Sequence, residues 1–487
     1  MNHTLKFSKS LNTPFLHYLA VVFICWFSTW HLSLAFFESN SGWFHDHGML
    51  NYALGSTLNG LFLRAPLPGD YNHFSIHIHP TLLLVLPFKA VWSSGHTLIF
   101  FQMFVQSLGA LPLFLIARKW TQNYTFAWLS VGLFFSNRYQ KEILLSAHYE
   151  QLYIFTILCF IASLIYNRRF LAVMFAVLSL GVRDDYAFLL GASALCISIF
   201  DRKYWKQWSS LGVTGVVVFF VERKFIMPNL HNPTNYLTNA IFDQWGQYGN
   251  SLSEIAIYFL THPFWVVEQI FTKSEYVRFM EEFAWLPALS PFGIGTLIPM
   301  SYISTYSVTS GRLAYYFSAC ILPFALIGYI WTLSRAWNSK YRIKQYVLGI
   351  FALHVCSIAY TNRNYTSANG LSTCTFFNCT DLYQLNIESK ESTANRFIDQ
   401  YINSNTESCA VTFKHFARAN WRRTLVLTAD AATYKPCLVF GDMTEEDQFA
   451  FMKTRNLKNE LTSSGQYRIV EQQDQFYLLR NNECDRN

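Results

Sequence analysis

Apolar and polar residues alternate in long blocks over the first 362 positions of the chain. A helix needs about 20 apolar residues to cross a bilayer. Residues 1–362 are therefore predicted to form a mainly α-helical, polytopic membrane domain with about ten spans. Long apolar runs occupy 14–36, 98–117, 147–166, 186–200, 209–222, 313–334 and 345–361, and shorter or interrupted runs occupy 76–93, 124–136, 170–182, 254–271 and 284–305.

Basic residues lie in the turns between these runs, and the positive-inside rule uses them to orient the chain. The first run follows Lys6 and Lys9 and has no small-residue cleavage site, so we expect a retained anchor with a cytoplasmic N-terminus. Segment 37–75, in which Arg64 is the only Lys or Arg, is then an outer loop. The predicted cytoplasmic turns carry Arg118, Lys119, Arg168, Arg169, Arg202, Lys203, Lys206 and the basic residues between 335 and 344.

Prolines interrupt several of the apolar runs. Proline removes a backbone donor from a helix, and irregular backbone at membrane depth is tolerated only where it is buried or lines a cavity. We therefore expect a body with an internal groove, in which the segment around His79-Pro80 is re-entrant. The interrupting prolines are Pro87, Pro112, Pro287, Pro291 and Pro299.

Residues 363–487 read as a small soluble domain of the α/β or α+β class. Strands are predicted at 409–413, 437–440 and 475–479, with helices at 392–403 and 444–458. The last long run follows a cytoplasmic basic cluster, so we expect this domain to be extracytoplasmic. Its cysteines predict one or two disulfides with open connectivity, whereas the cysteines within apolar runs predict core packing. The first group is Cys374, Cys379, Cys409, Cys437 and Cys484, and the second is Cys25, Cys159, Cys196, Cys320 and Cys356.

Composition agrees with a membrane location, because hydrophobic residues make up 52% of the chain and charged residues 14%. Soluble domains carry roughly a quarter charged residues. The net charge of +7 is distributed among the loops, as topology requires, so it does not predict nucleic-acid binding. No glycine-rich phosphate loop is present either.

Four polar islands interrupt the apolar body, and the predicted topology lets all of them reach the outer face. A charge near lipid is costly, and such residues usually face a cavity, pair with one another or mark a functional site. The islands are Phe44-His-Asp-His-Gly48, Asn72-His-Phe-Ser-Ile-His-Ile-His-Pro80, Ala147-His-Tyr-Glu-Gln151 and Val182-Arg-Asp-Asp-Tyr186.

Asp46 is the leading candidate for chemistry, because it follows the first span in an aromatic segment typical of the bilayer surface. The candidate residues in the other islands also have purely structural explanations. Residues 183–185 also suit an interfacial loop with an internal ion pair, and Glu150 suits a helix start favoured by the macrodipole. His77 and His79 lie on one side of an extended segment but lack the further ligands of a zinc site.

The islands occur in an order that resembles the DUF2079 family of predicted membrane proteins. The matching segments are 44–60, 77–88 and 106–118, the His148-Tyr-Glu150 and Val182-Arg-Asp-Asp185 motifs, and in the tail 409–413, Arg422-Arg423 and 437–442. The chain departs from the family pattern at His45, which separates Phe44 from Asp46, at Tyr149 in place of proline, and at Asp184 in place of glutamate.

That family is similar to the GT-C superfamily of membrane glycosyltransferases, which take sugars from polyprenyl-phosphate carriers and use an acid in the first outer loop. The resemblance implies that Asp46 is a base or the ligand of a divalent cation such as Mg²⁺ or Mn²⁺. Glu150, Asp184 and Asp185 are the other candidate catalytic residues, and they would orient the acceptor or complete a metal site. The candidate substrate-binding residues are His77, His79, His148, Arg183, Lys273 and Arg278. Of these, Arg183, Lys273 or Arg278 would neutralise the lipid phosphate, and Arg is the better bidentate partner.

Two other classes of function fit the same islands. Polar residues that converge on a groove also suit a transporter or lipid flippase, in which acids couple transport to protons or cations. A scaffold whose outer domain binds a partner is a third possibility, although it leaves the charged islands without a role. The acceptor of a transferase is not identified by the sequence.

Overall fold

The structure is a computed structural model. It describes residues 13–38, 44–65, 72–146, 148–230, 245–305, 313, 317–339, 343–363, 390–404, 407–411, 424–426, 435–442 and 457–486.

Helices dominate the described part of the chain, and a small sheet lies near its C-terminus. The helices are α1 Thr13–Glu38, α2 Phe44–Leu58, α3 Leu86–Val91, α4 His96–Leu108, α5 Ala110–Thr121, α6 Tyr124–Ser136, α7 Arg138–Ser146, α8 Leu152–Ile165, α9 Arg169–Leu180, α10 Asp184–Phe200, α11 Trp205–Val221, α12 Leu252–Thr261, α13 Pro263–Thr272, α14 Ser274–Glu282, α15 Gly293–Ser304, α16 Leu322–Trp337, α17 Lys344–Thr361, α18 Lys390–Phe397 and α19 Leu457–Ser463. The strands are β1 Cys409–Val411, β2 Thr424–Val426, β3 Leu438–Asp442, β4 Tyr467–Gln473 and β5 Phe476–Asn481.

Most predicted apolar runs coincide with helices, and the breaks have local causes. Asn123 caps α6 by accepting the backbone N–H of Phe126 at 2.8 Å, while Gln122 ends α5 in the left-handed conformation. Run 254–271 divides into α12 and α13 at His262-Pro263, because proline begins a helix more readily than it continues one. The re-entrant candidate is a 3₁₀ turn, Pro80–Val85, followed by the short α3.

Among the described residues, two helical stretches, Pro14–Leu34 and His96–Thr121, are long and apolar enough to cross a membrane by length and composition. Shorter apolar helices include Tyr124–Ser136, Tyr149–Ile165 and Arg169–Leu180. Large apolar side chains are exposed along α1, α9, α11 and α17, as lipid-facing surfaces require. The figure of about ten spans stays a prediction.

The C-terminal sheet has the strand order β2-β1-β3-β5-β4. Strand β1 pairs in parallel with β2 and β3, whereas β5 is antiparallel to β3 and β4. The strands predicted near 409, 437 and 475 are confirmed, and α18 with the π-helical turn Ile398–Asn403 confirms the helix at 392–403. Strands β2 and β4 were not predicted. The helix predicted at 444–458 lies almost wholly outside the described residues, which resume where α19 begins.

A disulfide joins Cys437 to Cys484, with 5.7 Å between their Cα atoms. It ties the start of β3 to the segment after β5. Cys409 is a buried free thiol in the same domain, and Cys374 and Cys379 lie outside the described residues. Among the cysteines of the apolar runs, Cys25 and Cys320 are buried, Cys159 and Cys196 are half-buried, and Cys356 is exposed on α17, so core packing does not explain Cys356.

Candidate functional site

Ionisable side chains from four separate parts of the chain meet where helices begin or end. Glu150 lies in the 3₁₀ turn Tyr149–Gln151 that leads into α8. Asp184 and Asp185 form the first turn of α10, where the helix dipole favours carboxylates, and Arg183 is its N-cap residue. We call the assembled group the charged cluster, and its members are His77, His148, Glu150, Arg183, Asp184, Asp185 and Arg223.

The cluster is held by two series of ion pairs, which a hydrogen bond between Arg183 and His77 joins. Glu150 accepts hydrogen bonds from both His148 and Arg183. Arg183 also places its Nε 2.9 Å from Asp185 Oδ1. The Glu150 and Asp184 side chains are fully buried, so removing their cationic partners would leave uncompensated charge in the interior.

Asp184 contacts the two remaining members of the cluster, His77 and Arg223. Its Oδ1 lies 3.2 Å from His77 Nδ1, and its Oδ2 lies 2.5 Å from an Arg223 guanidinium nitrogen. Arg183 approaches the other ring nitrogen of His77 at 3.4 Å. Since a guanidinium only donates, this arrangement fits an imidazole whose proton is on Nδ1 and is donated to Asp184.

Arg223 was missed by the sequence reasoning, and close packing of α10 against α11 brings it to Asp184. A Cβ atom on Gly215 would lie 2.6 Å from the Ala187 carbonyl oxygen and 2.9 Å from the Gly191 Cα, so glycine is required at this crossing. Helix α11 then continues into the π-helical turn Glu222–Ile226, which carries Arg223. The charged triplet Glu222-Arg223-Lys224 at the end of an apolar run was the available signal.

The segment that carries His77 is fastened to the turn before α10. His79 Nδ1 donates to the Val182 carbonyl at 2.9 Å. Thr81 donates to the Gly181 carbonyl through its hydroxyl at 2.8 Å and through its backbone N–H at 3.1 Å. His79 therefore positions the segment rather than entering an ion pair with the cluster.

A small cavity of about 10 Å³ adjoins Arg183 and Asp185. Tyr302 and Ile303 of α15 also line it. A cavity of this size accommodates about one water molecule. A sugar or phosphate ligand would therefore require the neighbouring elements to separate, or an ion pair to exchange for the ligand.

Asp46 lies in the first turn of α2, and its side chain is outside the described ones. Buried polar contacts fix α2 from one side. Lys89 is fully buried and donates to Asn51 Oδ1 at 2.5 Å and to the Ser93 and Ser94 carbonyls at 2.5 and 2.9 Å. The His47 ring lies 3.1 Å from the Gly95 carbonyl. Lys89 was also missed, although a lysine inside the apolar run 76–93 was a visible signal.

The C-terminal sheet and residues 390–403, which belong to the predicted C-terminal domain, pack over α2 and over the His77 segment. Met49 of α2 and Ile76 share one hydrophobic cluster with residues of that domain. The domain contributes Ala394, Phe397, Ile398, Ile402, Cys409, Val411, Leu438, Phe440, Phe476 and Leu478. The domain, the helix that carries Asp46 and the charged cluster therefore lie at the same end of the molecule.

Lys273 and Arg278 lie outside the charged cluster in the described contacts. Lys273 donates to the Ser304 carbonyl at the end of α15, one residue beyond Ile303 of the small cavity. Arg278 is exposed on α14. Lys273 is thus near the rim of the site, while no described contact links Arg278 to it.

Within the described ranges there is no group of three or more His, Cys, Asp or Glu side chains placed to hold a metal ion. His77 and His79, whose rings lie 5.8 Å apart, are committed to Asp184 and to the Val182 carbonyl. A cation-binding role for Asp46 stays a prediction.

Comparisons with known proteins identify the fold and the family. The structure is similar to the crystal structure of ArnT from Cupriavidus metallidurans bound to undecaprenyl phosphate, with a TM-score of 0.54 and 10% sequence identity over 96% of this chain and 97% of that chain. At that identity the likeness establishes the fold. No protein with a curated description matches the sequence. A family model described as "Predicted membrane protein (DUF2079)" matches residues 41–391, and the chain therefore belongs to the DUF2079 family of predicted membrane proteins.

Proposed function

We propose that this protein is a membrane glycosyltransferase that moves a sugar from a polyprenyl-phosphate donor to an acceptor on the extracytoplasmic face. One observation carries the proposal. A fold shared along nearly the whole chain with ArnT, whose crystal structure holds undecaprenyl phosphate, contains buried carboxylates that pair with guanidinium groups and imidazoles.

The reaction is a displacement at the anomeric carbon of the sugar. The acceptor hydroxyl oxygen bonds to that carbon, while the bond from the carbon to the phosphate oxygen breaks. Its electron pair leaves with polyprenyl phosphate, and the acceptor proton passes to a base. The enzyme must therefore supply a base near the acceptor and positive charge near the departing phosphate.

Arg183 and Arg223 are suited to the phosphate, because guanidinium groups bind phosphate oxygens in bidentate geometry. Both are held by carboxylates, Arg183 by Glu150 and Asp185 and Arg223 by Asp184. Such pairing fixes the guanidinium planes before substrate arrives. His77 and His148 border the same groups, and Lys273 at the rim adds a further cation.

Asp46 is the proposed base or divalent-cation ligand. Glu150 and Asp184 are each committed to two cationic partners, which leaves them less suited to accept a proton from the acceptor. Asp46 starts a helix whose Met49 packs under the C-terminal domain. We assign that domain to the acceptor side of the reaction and place it outside the membrane, which is the cell inner membrane if the source is bacterial.

The test is transfer of labelled sugar from a panel of polyprenyl-phosphate sugars by the full-length protein in lipid vesicles. We expect product from at least one donor, and a fall of about 10²–10⁴-fold for Asp46→Asn, the range typical of a lost general base. A matched control is Asp474→Asn at the exposed tip of the β4–β5 turn. Titration with Mg²⁺ and Mn²⁺, with and without chelator, separates a base from a cation ligand.

Two outcomes would overturn parts of the proposal. Full transfer by folded Asp46→Asn would remove Asp46 from the mechanism. No transfer across the panel, together with labelled polyprenyl-phosphate sugar moving between leaflets, would identify a flippase that uses the charged cluster for coupling.

A further inference from the structure

A second feature of the body, a groove between α9 and α11, lies apart from the charged cluster. Its volume is about 760 Å³, within the range of roughly 300–1,000 Å³ that ligand pockets occupy. Helix α8 forms its floor through Phe160, Ser163 and Leu164. The described residues that line it include no acidic side chain.

The α9 wall of the groove is a continuous apolar stripe. Ala172, Val173, Ala176, Val177 and Leu180 line it at helical spacing, so they share one face of α9. At 1.5 Å per residue, the stripe with its basic start at Arg169 runs for about 16 Å. That is the shape needed by an extended hydrocarbon chain.

Positive charge is confined to one end of this groove. Arg168 and Arg169 lie at the start of α9, and Lys206 lies in the first turn of α11 beside them. All three side chains are exposed. The buried Tyr204 hydroxyl lies at the same end and has no hydrogen-bond partner among the described residues.

The basic end faces away from the charged cluster. Helix α9 begins at Arg169 and ends just before Arg183, and α11 begins beside Lys206 and ends just before Arg223. The groove therefore presents cations at the membrane side opposite to the cluster. By the positive-inside rule this is the cytoplasmic side, where anionic lipids attract basic residues.

We propose that this groove binds an anionic glycerophospholipid, with the phosphate at Arg168, Arg169 and Lys206 and one acyl chain along the apolar stripe of α9. The match between a cationic end and an apolar channel favours a lipid over a soluble anion, which would leave the channel unfilled. The site is separate from donor binding and does not depend on the proposed sugar transfer.

The test measures lipid retained by the delipidated full-length protein in native mass spectrometry, after titration with phosphatidylglycerol or phosphatidylcholine of the same acyl chains. We expect the wild-type protein to retain about tenfold more phosphatidylglycerol than phosphatidylcholine, because each basic side chain near an anionic headgroup adds attraction. The R168Q/R169Q/K206Q variant should lose the preference. The control K119Q/R202Q/K344Q removes the same charge from exposed positions outside the groove and should keep it.

A second variant tests the acyl channel. Ala176→Phe fills the groove and should lower retention of both lipids several-fold, and Val173→Trp provides the same test on a more exposed position if Ala176→Phe does not fold. A triple variant that keeps the phosphatidylglycerol preference would overturn the headgroup site. A folded groove-filling variant that retains lipid like wild type would overturn the channel.

Discussion

The two ends of the group formed by helices α9, α10 and α11 differ in the burial and pairing of their charged side chains. At one end the buried carboxylates of Glu150 and Asp184 pair with Arg183 and Arg223, whose side chains are only 12% and 13% exposed. At the other end the basic side chains beside the groove are exposed and face an apolar channel without acidic partners among its described lining residues. Buried ion pairs hold their side chains in one geometry, and removing one partner destabilises the fold. Exposed cations at a lipid surface remain available to bind a ligand.

Breaking the buried end should have the largest effect on stability. Asp184→Ala leaves the Arg223 guanidinium and the His77 ring without their carboxylate, and we expect a loss of about 3–5 kcal/mol in the free energy of unfolding. Denaturant unfolding in detergent measures it. Adding Arg223→Ala should cost less than the two single losses combined, because the variants remove one shared pair. Additive losses would show that the pair does not couple the two helices.

Separating α10 from α11 should have the next largest effect. Gly215→Leu places side-chain atoms where backbone atoms of Ala187 and Gly191 now lie, so we expect a loss of about 1–3 kcal/mol and a displaced Arg223. The control is Gly349→Ala on α17, where a Cβ meets nothing within 4 Å, and which should be neutral or stabilising by up to about 1 kcal/mol. Equal free energies of unfolding for the two variants would contradict close packing between α10 and α11 at Gly215.

In the C-terminal domain, unlike in the charged cluster, ion pairs such as Arg480–Asp485 are exposed to water. Hydrogen bonding from Arg480, with further attraction from Arg468, holds the pKa of Asp485 below its ordinary value. The pair therefore stabilises the folded domain above the unfolded-state pKa of about 3.9, and this contribution disappears as pH falls through the folded-state pKa.

We expect Asp485→Asn to weaken the domain slightly at pH 7 and to match wild type at low pH. Hydrogen exchange of the β4 and β5 amides, compared between the two proteins at each pH, measures this difference. A difference that grows as pH falls would have the wrong sign for this ion pair.

Removing exposed cations at the groove should have the smallest effect on stability. For R168Q/R169Q in lipid-free detergent we expect a change within about 0.5 kcal/mol, as for most surface substitutions. Denaturant unfolding under the conditions used for Asp184→Ala allows direct comparison. A loss as large as that of the buried carboxylate would mean that these residues support the fold rather than a ligand.

Much of the architecture was predictable because it depends on local patterns. Runs such as 124–136 and 186–200 coincide with α6 and α10, since their apolar stretches end at capping or charged residues. The strands near 409, 437 and 475 were visible as short apolar segments. Strand β4 did not show such an apolar segment, because most of its residues are exposed or half-buried and its sequence is largely polar.

Within the site, the sequence by itself determined which residue types were available and their local pairs. His148 and Glu150 are two positions apart, and Arg183 directly precedes the acids at the start of α10, so their proximity follows from chain connectivity. The order of the polar islands also carried the family resemblance, which the family match confirms.

Only the tertiary structure decided which distant groups share the site. His77 reaches Asp184 across 107 positions, and Arg223 reaches it because glycines allow α10 and α11 to touch. Tertiary packing also left Lys273 at the rim and Arg278 outside the described contacts, although the sequence made both of them candidates beside Arg183. The physical reason is that ion pairing at close range depends on distances set by helix packing, which local sequence patterns do not encode.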